Sequence, residues 1–248
     1  MINRKQAIQA FKDYTANYDA GNINIALKIV HTYRVAALSE RIAKHVFIDD
    51  LEAVNVSWLL GLLHDIGRFE QVTRYGTFID ADSVDHAELG ADILFKNNLF
   101  TSFVPGASQK LRNIAEPAIR LHNKLKLPDN LEHEVYAKIL RDADKIDIFR
   151  VLTEPPYEEK YSDEKLIGLP VRDKVMKCVI EHRCVSRAEG HSDANALEKL
   201  ISQCCMAFEL EFSESRKIAK EQGYLERLLN KKCKELEVVR QEIGRMIL

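Results

Sequence analysis

At 248 residues, with 46% hydrophobic and 30% charged residues and a formal net charge of -2, the chain has the balance of a globular protein. It is long enough to bury a full core without disulfides or structural metals. The near-neutral charge argues against a general nucleic-acid or membrane-surface binder, and no run approaches the roughly 18 apolar residues of a membrane span. Met1-Ile2-Asn3-Arg4-Lys5-Gln6 leads into a mixed polar segment, unlike the apolar stretch of a signal peptide. Cys178, Cys184, Cys204, Cys205 and Cys233 are odd in number, form no CxxC pair and lie in the C-terminal third. They read as reduced, mostly buried thiols of a cytoplasmic protein.

The periodicity is helical almost throughout, and the fold class expected is all-α. Residues 4–18 form a first amphipathic segment, closed by Gly21. Residues 23–46 form a longer one, with Ile29, Val35, Leu38 and Ile42 on or near one face. Residues 50–65 are apolar all round, as expected of a central buried helix, and Gly67 fits a C-terminal stop. Residues 68–83 lack periodicity and read as a long loop of functional interest. Ser83 is placed to cap a helix over 84–97, and Pro105-Gly106 marks a turn. Residues 108–126 are helical, with Pro117 either kinking that helix or starting a second one.

A further helix covers 130–151, and the Pro-rich, charged stretch 153–170 is a second loop or a boundary. Residues 171–189, 194–209 and 213–247 are helical again. In the last of these, Leu225, Leu229, Lys232, Leu236, Val239, Ile243 and Met246 alternate at spacings of four and three, a heptad-like seam. Packing on its own domain is the first explanation of that stripe, and a homodimer contact the second.

The histidines carry the chemistry. His64-Asp65 ends the apolar run Val56-Ser57-Trp58-Leu59-Leu60-Gly61-Leu62-Leu63, where a buried polar pair is costly without a partner such as a divalent metal. His31, followed one turn later by Val35, faces inward; taken alone, such a residue is more often a hydrogen-bonded core histidine than a ligand. His86 begins a helix in Val84-Asp85-His86-Ala87-Glu88, and His122 ends Ala118-Ile119-Arg120-Leu121-His122. Asp144 lies in the acid-rich stretch Asp142-Ala143-Asp144-Lys145-Ile146-Asp147. Helical bundles build metal sites from donors on separate helices in this way. Nitrogen and oxygen donors without thiolate suit Fe, Mn, Zn, Ni, Co or Mg and argue against structural zinc. His45, His133, His182 and His191 sit in polar surroundings and read as surface residues. Trp58 and the Cys204-Cys205 pair read as core packing.

The order His31, His64-Asp65, His86, His122, Asp144 resembles the HD phosphohydrolase superfamily over roughly residues 23–150. Leu62-Leu63-His64-Asp65-Ile66-Gly67-Arg68 looks like that family's "LLHDIGK" signature. The segment from Asp85-His86 to Ile93-Leu94 is similar to the histidine-led helix of its binuclear members. The resemblance implies an HD-domain helical bundle over 1–170, with 171–248 a helical extension packed on it. It implies two divalent ions, one on His31, His64, Asp65 and Asp144, the other on His86 and His122, with Asp65 bridging. It further implies hydrolysis of a nucleotide or other small phosphorylated molecule; the charge balance and the lack of a long apolar run give no reason to expect a membrane partner.

The chain departs from the HD-GYP subfamily. Leu121-His122-Asn123 replaces its double histidine and glutamate, and Leu127-Pro128-Asp129 lacks its Gly-Tyr-Pro, so cyclic di-GMP is not assigned. Arg68 stands where relatives commonly have lysine, and a guanidinium grips phosphate differently. Asp65, Arg68 and Lys145 are the expected catalytic residues; Arg74 and Tyr75 are weaker substrate contacts, with Arg74 equally readable as a solvated charge. Lys145 could equally pair with Asp142 or Asp147. A mononuclear enzyme, a nucleotide sensor without turnover and a scaffold protein remain the alternatives.

Overall fold

Helical periodicity dominates the molecule as it does the sequence. The computed structural model describes residues 2–186, 189 and 193–247, and every regular element among them is helical, so the fold is all-α. None of these helices is long and apolar enough to cross a membrane. The chain forms two units, Met1–Ala143 and Asp144–Leu248, and the division falls inside a helix, upstream of the 153–170 stretch.

The first unit contains α1 (Arg4–Thr15), α2 (Ile23–Val46), α3 (Leu51–Leu63), α4 (Ile66–Tyr75), α5 (His86–Ala91), α6 (Phe100–Phe103), α7 (Gln109–Leu121) and the start of α8 (Glu134–Val151). The start signals are local. Asn3, Asn22, Asp50 and Ser108 each accept a backbone N–H in the first turn of α1, α2, α3 and α7. α3 is buried on almost all sides, from Val56 through Leu63, as its unbroken apolar sequence requires. Phe11 anchors α1 by edge contacts with Tyr33 of α2 (5.2 Å) and Phe69 of α4 (5.9 Å). Tyr14 Oη donates to Ile66 O at 3.1 Å and so ties α1 to the first residue of α4.

The second unit holds the rest of α8, then α9 (Tyr157–Lys160), α10 (Asp163–Leu166), α11 (Asp173–Ile180), α12 (Ala196–Cys204), α13 (Ser213–Gln222), α14 (Tyr224–Leu229) and α15 (Lys234–Gly244). Its core is formed by Val175, Val179, Leu197, Leu200, Ile201, Leu225, Leu229, Leu236, Val239 and Ile243, all fully buried. Each contributes about 1.5–3 kcal/mol relative to exposure. The five cysteines are free and buried.

Several boundaries differ from expectation. Gly67 does not stop a helix: it is the second residue of α4, which takes up the first half of the expected 68–83 loop and leaves a connection over 76–85. Asp85, not Ser83, caps α5, accepting from Ala87 N (3.0 Å) and Glu88 N (3.2 Å). α7 runs through Pro117. The expected C-terminal helix is three helices. The first ends at Gly223, whose φ of +67° ends α13, and residues 230–233 separate the last two. The heptad-like seam is therefore broken: five of its apolar residues are buried in their own unit, whereas Met246 is exposed. Trp58 is buried, with the Arg4 guanidinium 4.7 Å from its ring. His45 and His182 are exposed and His133 half-buried, while His191 lies outside the described residues.

Candidate metal centre

Close backbone approach places the first two histidines. A side-chain carbon at Gly61 would stand 2.6 Å from Ala36 Cα and 2.8 Å from Val35 O, so only glycine lets α3 lie this near α2. His64, at the C-terminal end of α3, then reaches His31 of α2, with their Nε2 atoms 3.4 Å apart. The His64 ring is fixed from behind by Nδ1, 2.8 Å from Gly61 O. A carbonyl only accepts, so Nδ1 carries the proton and Nε2 presents a lone pair.

Asp65 occupies the N-cap position of α4, where a carboxylate commonly accepts a backbone N–H. It makes no such bond. Its carboxylate is buried among the histidines instead. Oδ2 lies 3.3 Å from His64 Nε2 and 3.5 Å from His31 Nε2. Oδ1 lies 3.5 Å from His86 Nε2 and 3.8 Å from His122 Nε2. One carboxylate thus faces two histidine pairs, one pair per oxygen.

The second pair is built like the first. His122 ends α7 and donates Nδ1–H to Ile119 O at 2.7 Å, again three residues back. His86 opens α5 and turns Nδ1 to the Asp80 carboxylate, 2.9 Å from each oxygen. The two Nε2 atoms face each other at 3.1 Å. Two lone pairs at that separation repel unless positive charge lies between them. The donor set is therefore chemically matched to a cation, and imidazole with carboxylate suits a divalent metal ion. His31, His64, Asp65, His86 and His122 are all buried, and ligand atoms of His64, Asp65 and His122 lie within 4.8 Å of one another.

Charge around the centre keeps Asp65 ionised. Burial alone would raise its carboxyl, but the cations Lys28 and Arg68 outweigh burial and hold it well below the ordinary carboxylate range. Lys28 Nζ is 2.6 Å from Asp65 Oδ2. Burial, reinforced by Arg68, pushes His86 below the usual imidazole range against the opposing pull of Asp80 and Asp65, so its neutral, ligating form is favoured.

The expected cations are held largely by other partners. Arg68 lies beside Asp65, Nε to Oδ1 3.6 Å, but its Nη1 serves Gln71 Oε1 (2.7 Å), Phe78 O (2.6 Å) and Asp80 Oδ1 (3.0 Å). Arg74 and Tyr75 end α4 rather than sitting in a loop, and Arg74 pairs with Glu70 one turn back, as a solvated charge does. In the second unit, Lys145 donates to Glu209 Oε2 at 3.1 Å and to Glu209 O at 3.3 Å. Asp147 is gripped instead by Arg150, with two contacts of 2.9 Å. Asp144, half-buried on α8, is the first residue of that second unit. Lys28 and Asp80 escaped the sequence reading. Lys28 had a signal, being one helical turn before His31; Asp80 lies in an aperiodic stretch with none.

Residues 29–148 match the family model described as "HD domain". No curated protein and no solved structure matches the chain.

Proposed function

The chain belongs to the HD domain superfamily, and on that footing we propose that it is a metal-dependent phosphohydrolase acting on a nucleotide or another small phosphorylated molecule. The observation that carries this reading is the division of Asp65, with Oδ2 toward His31 and His64 and Oδ1 toward His86 and His122. A carboxylate shared in this way suits two divalent ions. His31, His64 and Asp65 would hold one; His86, His122 and Asp65 would hold the other. Such ions, when bound, bring a water's pKa toward neutrality and stabilise charge developing on phosphoryl oxygens.

The chain's own groups do the rest. Nδ1–H bonds to Gly61 O, Ile119 O and Asp80 keep three Nε2 lone pairs aimed inward, so ligand geometry is set beforehand. Asp65 stays ionised and can accept a proton at either oxygen. Phosphate needs cations from the protein as well. Lys28 is the best placed, because its ammonium reaches the centre and is not committed to a distant carboxylate. Arg68, largely committed to the 76–85 connection, adds positive field at shorter reach. The half-buried Phe78 ring, 5.5 Å from Lys28 Nζ and 5.6 Å from Arg68 Cζ, offers an apolar wall to a nucleoside. Lys145 is the third expected cation; its pairing with Glu209 makes it the weakest of the three.

The test is elemental analysis of protein purified without added metal or chelator, coupled to phosphate release across a nucleotide panel. Two ions per chain and turnover of at least one phosphoester are expected. Absence of metal, together with no turnover under any added divalent ion, overturns the proposal.

A further inference from the structure

The 76–85 connection is built around one carboxylate. Asp80 Oδ1 receives Arg68 Nη1 (3.0 Å), Gln71 Nε2 (3.0 Å) and His86 Nδ1 (2.9 Å). Asp80 Oδ2 receives His86 Nδ1 (2.9 Å) and Asn123 Nδ2 (3.2 Å). These donors come from α4, α5 and the end of α7, three parts of the chain brought together at a single side chain. Gln71, fully buried, also reaches Ser83 Oγ and Val84 O at 2.9 Å, and Arg68 Nη1 reaches Phe78 O at 2.6 Å, so the connection itself is pinned on both sides of Asp80.

We infer that Asp80 is the positioning residue for His86: it fixes the ring as the Nδ1–H tautomer and turns Nε2 toward His122 and Asp65. His64 and His122 are held by carbonyls three residues back in the chain. His86 cannot use that device, because it is the first residue of α5 and residues 83–85 before it are not helical. A neutral imidazole without such a partner exchanges between tautomers, and the Nε2–H form offers no lone pair to the centre. An ionised carboxylate on Nδ1 removes that freedom and raises the basicity of Nε2. The consequence for metal binding rests on the two-ion reading above; the tautomer itself does not.

Nitrogen-detected NMR of the His86 ring in the metal-free chain tests the assignment directly. The wild type is expected as Nδ1–H. Asp80→Ala is expected to populate Nε2–H, Asp80→Glu to restore Nδ1–H in part, and Thr77→Ala, which alters the same connection without touching the ring, to leave it unchanged. Asp80→Asn keeps the shape and loses the charge, and should shift the ring the same way if the alanine variant does not fold. Metal titration adds a second readout: Asp80→Ala should weaken one ion by roughly 10- to 100-fold and leave the other as in wild type. A wild-type ring that is not Nδ1–H, or an Asp80→Ala or Asp80→Asn ring that keeps the wild-type tautomer, overturns the inference. A wild type that binds fewer than two ions while the ring responds as expected overturns the two-ion reading and supports Asp80 as the positioning residue.

Discussion

Gly67 and Gly90 meet backbone to backbone. A side-chain carbon at Gly67 would stand 2.2 Å from His86 O and 2.6 Å from Gly90 N, and one at Gly90 would stand 3.0 Å from Gly67 N. This crossing of α4 and α5 sets Asp65, one residue before α4, against His86, the first residue of α5. Gly67→Ala is expected to destabilise the chain by about 1–3 kcal/mol, the usual range for overpacking. Gly90→Ala should cost less, since its nearest contact is longer. Urea denaturation midpoints measure both, and a Gly67→Ala chain as stable as wild type would show that the two helices separate freely.

The two histidine pairs should be separable by substitution. His86→Ala and His122→Ala are each expected to reduce metal content from two ions to one, while Asp65→Asn weakens both. Turnover should fall by about 100-fold or more in all three, because several kcal/mol of charge stabilisation is removed. Elemental analysis beside a phosphate-release assay gives both numbers. Full metal content in His86→Ala and His122→Ala would make the centre mononuclear.

Lys28 offers a test of substrate binding. Lys28→Met is expected to raise KM, and the inhibition constant of inorganic phosphate, by roughly 10- to 100-fold, the worth of a charged hydrogen bond. Metal content should stay at the wild-type level, and Lys28→Arg should recover part of the loss. An unchanged phosphate inhibition constant would remove Lys28 from the binding surface.

The second unit carries a pH-dependent lock. Glu198, buried on α12, receives Arg172 N (2.9 Å), Nε (2.7 Å) and Nη2 (2.7 Å). Burial alone would raise its carboxyl, but the Arg172 hydrogen bonds win and hold it below the ordinary value. A carboxyl depressed in the folded state stabilises above its unfolded pKa of about 4.3, and that contribution is lost as pH falls through the lower folded value. Thermal midpoints should therefore drop on acidification below about pH 4.3. Glu198→Gln should flatten that part of the profile at a cost on the order of 1.5–3 kcal/mol near neutrality. An identical acid limb in the variant would place the sensitivity elsewhere.

What the sequence made legible follows from how local each signal is. α2 spans the residues that periodicity assigned to it, because a 24-residue amphipathic segment with an Asn cap leaves little for packing to decide. The five histidine and aspartate residues gathered in the first unit were all recognisable, because buried polar residues at the ends of apolar helices stand out against their surroundings. Gly67 misled because a glycine after an apolar run reads as a stop, whereas here its lack of a side chain admits α5. The last helix misled because a four-and-three spacing does not register the break at Gly223 or residues 230–233. Asp80 was invisible because a residue in an aperiodic segment carries no hint of the ring it will support.

The sequence by itself determined the helical class, the donors and the kind of cation they suit, since these depend on side-chain chemistry and on a period that each segment carries alone. Only the tertiary structure decided that Asp65 turns one oxygen to each histidine pair, that Lys28 lies against it, and that Asp80 stands behind His86. Those relations join residues 37, 21 and 6 positions apart in the chain: Lys28 and Asp65, Asp65 and His86, Asp80 and His86. They are fixed by how closely glycine-bearing helices approach, a distance that no single segment encodes.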